Sequence, residues 1–383
     1  KWGRVVGYRR GFVEEITLRA DVFLESGEEL LAVSPIRRVK LTHLKKHVEA
    51  LANCPLLARL EGLNLRDGGL GLARLKTFLQ SPWIGEIQEF DFGFNGLAAS
   101  SFLELIQTKS LGPLRGLSLD SSKASGVGIR ELLGSHLVDH LEKFELRSSG
   151  LTDEDLIRLA DCPKLANLKQ LHLDFNRDIT NLGVRRLLES PHLTSLEVLS
   201  FRECPVGEDN MNFAFPPEIA MSNLVHLNLE GTRFRAEGIR QLAETSWVDG
   251  LVRLDLRENF GKGPMFDPLL EPGRLPHLRS LSLAWNGLDH RIVNRLASLG
   301  SSRLTELDLG ADVGNEGAKL LAQSEEFANL NILNLRGSGI TNPGAQALAD
   351  SEVLNRITEL RLSPGASDAP WNKTPGISAD ITK

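Results

Sequence analysis

The chain has 383 residues, of which 41% are hydrophobic and 25% are charged, so a disordered or collagen-like protein is excluded. Its formal net charge of -6 gives no overall attraction to nucleic-acid backbones or to anionic membranes. The cysteines are widely spaced and odd in number, which predicts free thiols in a reducing compartment and a cytoplasmic protein: Cys54, Cys162 and Cys204.

The chain opens with apolar residues that we expect to cover the first edge of the folded structure. They are Trp2, Val5, Val6 and Tyr8. Because the first strand pattern begins directly after them, residues 1–12 are predicted to form an N-terminal cap.

A six-residue pattern, apolar-x-x-apolar-x-apolar, then recurs almost to the end of the chain, mostly at intervals of 26 to 28 residues. Within one instance Leu60, Leu63 and Leu65 would point inward and Asn64 outward, which is the alternation of a short strand. We predict fourteen parallel strands, in repeats that begin at Val13, Ile36, Leu60, Ile87, Leu114, Leu141, Leu168, Leu196, Leu224, Leu251, Leu278, Leu304, Leu330 and Ile357.

A small polar residue follows most strands, at the ninth position of the repeat. Since the chain turns there and leaves backbone groups unpaired, these side chains are expected to hydrogen-bond them. Helical spacing comes next, as in Leu156, Leu159 and Ala160 after the capping residue Thr152. The ninth positions are Asn95, Ser122, Ser149, Asn176, Cys204, Thr232, Asn259, Asn286 and Ser338.

The repeats resemble leucine-rich repeats of the longer, helical kind found in ribonuclease-inhibitor-like proteins. The resemblance covers nearly the whole chain and implies an α/β solenoid, a horseshoe or arc, with a concave parallel sheet of about fourteen strands and convex helices. Residues 11–18 and 36–41 also resemble the region after the repeat-companion domain of certain bacterial repeat proteins. We predict one domain over residues 1–362 and a flexible, proline-containing tail over residues 363–383.

Motifs for catalysis or metal binding are weak. His43 with His47, and His136 with His140, have the four-residue spacing that places two imidazoles on one helix face. Two ligands do not make a metal site, so surface histidines are the preferred interpretation. No nucleophile motif, Walker loop or complete dinucleotide loop is present, which predicts a non-enzymatic protein without metal or cofactor.

In the predicted fold, the side chains at outward strand positions form the concave surface. The second, third, fifth and seventh positions of all fourteen repeats hold fifteen acidic and fifteen basic side chains. A surface that binds along a polyanion would carry an excess of basic side chains, so a protein partner is favoured over nucleic acid.

The seventh positions alternate in charge through six consecutive repeats: Asp120, Arg147, Asp174, Arg202, Glu230 and Arg257. In one interpretation they form a self-neutralising ladder, contributing a few tenths of a kcal/mol per pair. In another, the guanidinium groups of Arg147, Arg202 and Arg257 grip carboxylates of a partner. The two interpretations are compatible.

Large aromatic residues occupy three eighth positions, Phe94, Phe175 and Trp285. Each ring either packs on the turn of a neighbouring repeat or anchors a partner at the rim. Helical spacing fails in residues 205–221 and 260–272, which hold all three methionines. These segments either fill a gap left by a missing helix or form a docking surface.

The sequence therefore predicts a non-enzymatic, cytoplasmic protein–protein interaction scaffold that binds a protein partner through its concave sheet and rim. The alternative comes from the resemblance, because some ribonuclease-inhibitor-like proteins activate GTPases by acting on a partner's active site. The predicted contact residues are Arg147, Arg202, Arg257, Phe94, Phe175, Trp285, Asp174 and Glu230.

Overall fold

A computed structural model describes residues 4–9, 12–207, 215–300, 303–310, 312–362 and 380–382. The chain divides into two compact units. The first comprises the described residues up to 179 together with residues 186–196, and the second comprises residues 180–185 and those from 197 onward. The predicted single domain over residues 1–362 stays a prediction.

The first unit contains eight described strands. Strand β1 lies within the predicted cap and pairs antiparallel with β2, whereas β2 to β8 pair in parallel and in chain order. The strands are β1 (Arg4–Arg9), β2 (Phe12–Arg19), β3 (Arg38–Thr42), β4 (Gly62–Asn64), β5 (Glu89–Asp91), β6 (Gly116–Ser118), β7 (Lys143–Glu145) and β8 (Gln170–His172).

The second unit also contains eight described strands. Strands β9 to β15 pair in parallel and in chain order, and β16 pairs antiparallel with β15. The strands are β9 (Val198–Ser200), β10 (His226–Asn228), β11 (Arg253–Asp255), β12 (Ser280–Ser282), β13 (Glu306–Asp308), β14 (Ile332–Leu335), β15 (Glu359–Leu362) and β16 (Asp380–Thr382).

Strands β2 to β15 correspond one for one to the fourteen predicted repeats, so the predicted parallel α/β repeat fold is confirmed. Strand β16 lies in the tail that was predicted to be flexible. Its backbone pairs with β15, whose outer edge would otherwise leave peptide groups without partners. Residues 363–379 and 383 of that tail lie outside the described residues.

Helices follow most of the strands, as the spacing predicts. In α6 the backbone N–H and the hydroxyl of Thr152 both donate to the carboxylate of Asp155, at 3.0 Å each, which confirms the predicted helix start. The helices are α1 (Ala20–Val33), α2 (Val48–Ala52), α3 (Gly71–Phe78), α4 (Ala99–Gln107), α5 (Val127–Gly134), α6 (Asp153–Ala160), α7 (Asn181–Leu188), α8 (Ala236–Glu244), α9 (Arg291–Ser298), α10 (Gly314–Gln323) and α11 (Asn342–Ala349).

Most ninth-position residues bond the turning backbone as predicted, but the buried Oγ of Ser338 has no hydrogen-bond partner among the described residues. The amide nitrogen of Asn95 donates to the carbonyls of Leu65 and Phe92, at 2.9 Å each, and its oxygen accepts from the backbone N–H of Leu70 at 3.0 Å. Asn259, which is fully buried, bonds the second unit in the same way. These bonds place each turn, and with it the seventh and eighth positions, at the same point of successive repeats.

The two segments without helical spacing bury most of their apolar residues. A 3-10 helix spans Gly263–Phe266, and Met265 and Phe266 are buried in it. Phe215 and Met221 are buried in the other segment, whereas Met211 and Phe213 lie outside the described residues. The buried side chains of Phe215, Met221, Met265 and Phe266 therefore fit the interpretation in which these segments fill the space left by a missing helix. Among the described residues, no helix combines the length and apolar character needed to cross a bilayer.

Candidate functional site

In the first unit, three seventh positions form an ion-pair cluster that we call the first triplet: Asp120, Arg147 and Asp174. The Asp120 side chain is fully buried and accepts from Arg147 twice, from Nη1 at 3.0 Å and from the backbone N–H at 2.8 Å. Nε of Arg147 donates to Asp174 Oδ2 at 2.9 Å. The central arginine therefore joins two carboxylates of its own chain.

A second arginine reaches Asp120 from two repeats away. Nη1 of Arg66 lies 2.9 Å from Asp120 Oδ2 and crosses Gly93, the seventh position of the intervening repeat. A Cβ atom at Gly93 would lie 2.9 Å from Nη1 of Arg66, so a side chain there would obstruct this path. The buried carboxylate is thus neutralised from both sides.

The first triplet continues into Glu145, on the same outward face. Glu145 accepts from Lys143 Nζ at 2.9 Å and from Arg147 Nη2 at 3.2 Å. Burial pushes the pKa of Glu145 upward, but the two cations outweigh it and hold that pKa at about 2. Burial opposes the charge of Arg147 too, yet Glu145 and Asp120 raise its pKa above the ordinary value. Burial, together with Arg147, lowers the pKa of the adjacent His172.

In the second unit the seventh positions form the second triplet: Arg202, Glu230 and Arg257. Here the acid is central and buried, and it accepts from Nη2 of Arg202 at 3.0 Å and Nη2 of Arg257 at 2.8 Å. Arg257 also pairs with Asp255 at 2.7 Å. Burial raises the pKa of Glu230, and repulsion from Asp255 and Glu258 adds to the effect, so the two arginines do not fully offset it.

The eighth position has left-handed backbone wherever it is described in the repeats that begin at Ile36 through Leu330. Phe94, Phe175 and Trp285 share this conformation, with φ of 57°, 61° and 61°. Left-handed backbone costs roughly 1–2 kcal/mol for a residue with a bulky side chain, and glycine or asparagine adopts it more readily. The other eighth positions with positive φ are His43, Asp67, Ser121, Ser148, Glu203, Gly231, Glu258 and Gly337.

The three aromatic side chains are also exposed, by 49% at Phe94, 43% at Phe175 and 57% at Trp285. The rings of Phe94 and Trp285 each contact another repeat. The guanidinium carbon of Arg66 lies 4.3 Å from the ring centroid of Phe94. The ring of Trp285 lies beside Gly337, 3.5 Å from where a Cβ atom would be. The rings of Phe94 and Trp285 therefore pack on other repeats, and all three rings still present apolar surface to solvent.

Comparison with known proteins begins with a family model described as Leucine Rich repeat, which matches residues 274–292 and 328–349. Both matches start before a described strand, β12 or β14, and extend to or into the helix that follows it. Two segments of the chain therefore match a leucine-rich repeat. The ribonuclease-inhibitor-like subtype, the bacterial origin and the repeat-companion resemblance stay predictions.

Human leucine-rich repeat-containing protein 14 is 32% identical to this chain over 143 residues, which is 37% of this chain. The matched part spans 28% of the length of that human protein. Among solved structures, an internalin from Listeria monocytogenes has a TM-score of 0.40 and 16% identity, covering 81% of this chain and 76% of the other. A chain of the yeast Rad7 and Elc1 complex has a TM-score of 0.48 and 16% identity, covering 90% and 83%.

The structure thus brings the predicted contact residues together in two groups, Arg147 with Asp174 in one unit and Arg202, Glu230 and Arg257 in the other. Their role in partner contact stays a prediction. Sequence reasoning missed Arg66, because it compared only adjacent repeats. The missed signal is an arginine and an acid at the same outward position two repeats apart, with a small residue between them. The same arrangement joins Arg38 to Glu89 across Gly62, and Arg253 to Glu306 across Ser280.

Proposed function

We propose that this leucine-rich-repeat chain is a cytoplasmic, non-enzymatic module that binds a protein partner, and that Phe94, Phe175 and Trp285 are its main anchors. The observation that carries the proposal is the combination of left-handed backbone and exposure at these three aromatics. A side chain that strains the turn and stays half exposed contributes little to folding. Such residues are expected where apolar area serves binding instead.

The arginines of the second triplet also support binding of a protein partner. Arg202 and Arg257 keep 43% and 34% of their side chains exposed although both contact Glu230. Arginine combines a planar charged group with an apolar stem, and it is enriched at protein interfaces for that reason. We propose that these two guanidinium groups contact the partner directly, and that Glu230 positions them.

In the first triplet, Nε, Nη1 and Nη2 of Arg147 all donate to acids of the chain itself, and its side chain is 26% exposed. We therefore propose that Arg147 and Asp174 shape the surface beside Phe175 rather than forming the strongest contacts.

The choice of a protein partner over nucleic acid rests on charge. The outward strand positions carry equal numbers of acids and bases, fifteen of each, whereas a phosphate-binding face would carry an excess of bases. Cys54, Cys162 and Cys204 are buried and form no disulfide with one another. Burial raises the thiol pKa of Cys54 and of Cys162, which supports a structural role in a reducing compartment.

The test uses a triple variant, F94N/F175N/W285N, because asparagine tolerates left-handed backbone and keeps the turns. S121N/S148N is the matched control, since both serines occupy described eighth positions with the same conformation. Each protein is crosslinked in lysate of the source organism, and the partners are quantified by mass spectrometry. We expect a partner captured by the native chain and the control to be lost with the triple variant.

If the triple variant unfolds at the same urea concentration as the native chain and still captures every partner, the three aromatic residues are not the anchors. Variants R202M and R257M, tested in the same way, separate the contribution of the second triplet. Acceleration of GTP hydrolysis by a captured partner would favour the regulatory alternative over a simple scaffold.

A further inference from the structure

The outward face of the first unit contains a recess of about 250 Å³. Its lining includes Arg38, Glu89, Asp91, Ser118, Lys143 and Glu145. The recess exists because Gly116 occupies an outward strand position between Glu89 and Lys143, its register neighbours on β5 and β7. A glycine there leaves open the space that a side chain would fill.

Ser118 lies in this lining with an unpaired hydroxyl. It is 5% exposed, and its Oγ has no hydrogen-bond partner among the described residues. Its register neighbours are Asp91 on one side and Glu145 on the other, so a carboxylate stands on each adjacent strand. A buried hydroxyl without a partner costs about 1–3 kcal/mol, which a donor entering the recess would recover.

Acidic side chains outnumber basic ones around the recess. The acids are Glu15, Glu89, Asp91 and Glu145, and the bases are Arg38 and Lys143. Arg38 is fixed on Glu89 by two hydrogen bonds, at 3.0 and 2.6 Å. Lys143 is about half exposed and contacts Glu145 through one flexible ammonium group. Arg66 and Arg147, which lie outside the lining, also contact Asp91 and Glu145. The recess therefore presents carboxylate acceptors on neighbouring strands and a flexible lysine ammonium group that an incoming cation can displace.

An organic cation fits this chemistry better than a metal ion. Across the part of the chain that the structure describes, no three His, Cys, Asp or Glu side chains are placed to hold a metal. An ammonium or guanidinium group needs only hydrogen-bond acceptors and negative charge, and it tolerates the wider spacing of side chains on neighbouring strands.

We propose that this recess binds a lysine or arginine side chain of the partner protein. The incoming cation replaces the ammonium of Lys143 beside Glu145 and donates a hydrogen bond to Ser118 Oγ. The proposal rests on the proposed function in that the chain binds a protein, but it uses residues distinct from the exposed aromatics. Because Ser118 and Lys143 act in opposite directions on the incoming group, their variants should change binding in opposite directions.

The experiment titrates the full chain with three short peptides, acetyl-Gly-Arg-Gly-amide, acetyl-Gly-Lys-Gly-amide and the neutral acetyl-Gly-citrulline-Gly-amide, and follows backbone amide shifts by NMR. We expect at least one cationic peptide to shift the amides of Gly116 and Ser118, and the citrulline peptide to leave them unchanged. S118A should weaken that binding about tenfold, since a hydrogen bond to a charged group is lost. K143M should tighten it several-fold, since the competing ammonium is removed.

S282A is the matched control, because Ser282 occupies the same position of a repeat in the second unit and its Oγ also has no partner among the described residues. It should leave binding at Gly116 unchanged. Equal binding of the citrulline peptide, or failure of both S118A and K143M to alter affinity, would overturn the proposal. Loss of a lysate partner with the aromatic triple variant, while peptide binding persists, would separate the recess from the proposed anchors.

Discussion

The two triplets occupy the same repeat position in the two units but have opposite arrangements of charge. The first is acid, base, acid around Arg147, and the second is base, acid, base around Glu230. In each triplet the central residue contacts both outer residues, and the acids are more enclosed than the arginines. The first triplet buries two carboxylates, whereas the second exposes two guanidinium groups.

The surroundings extend this contrast. Asp120 has Arg66 as an additional partner, and Glu145 beside it is held in its charged form by Lys143 and Arg147. Glu230 is held less firmly in its charged form, because burial and nearby acids raise its pKa. The alternating run of charges in the sequence thus gives a lowered pKa at Glu145 in one unit and a raised pKa at Glu230 in the other.

Removing the central arginine of the first triplet should have the largest effect. R147M leaves the fully buried Asp120 with Arg66 and takes a donor from Asp174, so we expect a loss of about 3 kcal/mol of unfolding free energy. R257M, in the second triplet, should lose about 1 kcal/mol, because Glu230 keeps Arg202 and Arg257 is partly exposed. Urea unfolding monitored by circular dichroism measures both, and equal losses would contradict the comparison.

Neutralising the buried acids should lower the unfolding free energy by less than R147M does, and by unequal amounts in the two triplets. D120N loses charge-assisted hydrogen bonds from two arginines, and we expect about 2 kcal/mol of destabilisation. E230Q should change the unfolding free energy by less than about 1 kcal/mol, because the folded state already disfavours the charge of Glu230. A larger loss for E230Q than for D120N, in the same urea assay, would reverse our ranking of the two triplets.

The two glutamates should titrate on opposite sides of the ordinary value of 4.5. For Glu145, whose folded pKa is lowered to about 2, the stabilising contribution is complete above 4.5 and is lost as pH falls from 4.5 toward 2. For Glu230, whose folded pKa is raised, the contribution is present below 4.5 and is lost as pH rises through the folded value. Carboxyl ¹³C NMR titration of the native chain, with resonances assigned by E145Q and E230Q, measures both pKa values. Equal titration midpoints for Glu145 and Glu230 would contradict the prediction.

The smallest effect on stability is expected at the exposed aromatics. W285N removes partly buried ring area but relieves left-handed strain, so the unfolding free energy should change by less than about 1 kcal/mol in either direction. The buried Phe92 provides the contrast, since F92A should cost about 3 kcal/mol or more. A loss of similar size for W285N would mean that the ring serves folding rather than binding.

Much of the fold could be predicted from the repeat period alone. Leu63 and Leu65 point inward, Asn95 bonds the turn, and Thr152 starts a helix, because each follows from local spacing and hydrogen-bonding capacity. The pairing of Arg147 with its neighbours could also be predicted from alternating charges on adjacent strands. The bridge from Arg66 to Asp120 was missed, since it depends on the open path over Gly93, and the pairing of β16 depends on the free edge of β15.

The sequence by itself determined the number of repeat strands, their order within each unit and the residues that face outward, because a fixed period repeats the same local geometry and the same apolar contacts. Only the tertiary structure decided which acid is buried, which arginine stays exposed and where an open recess forms. Those properties depend on the size of side chains on neighbouring strands, which lie one or two repeats away along the chain and become adjacent only when the repeats stack.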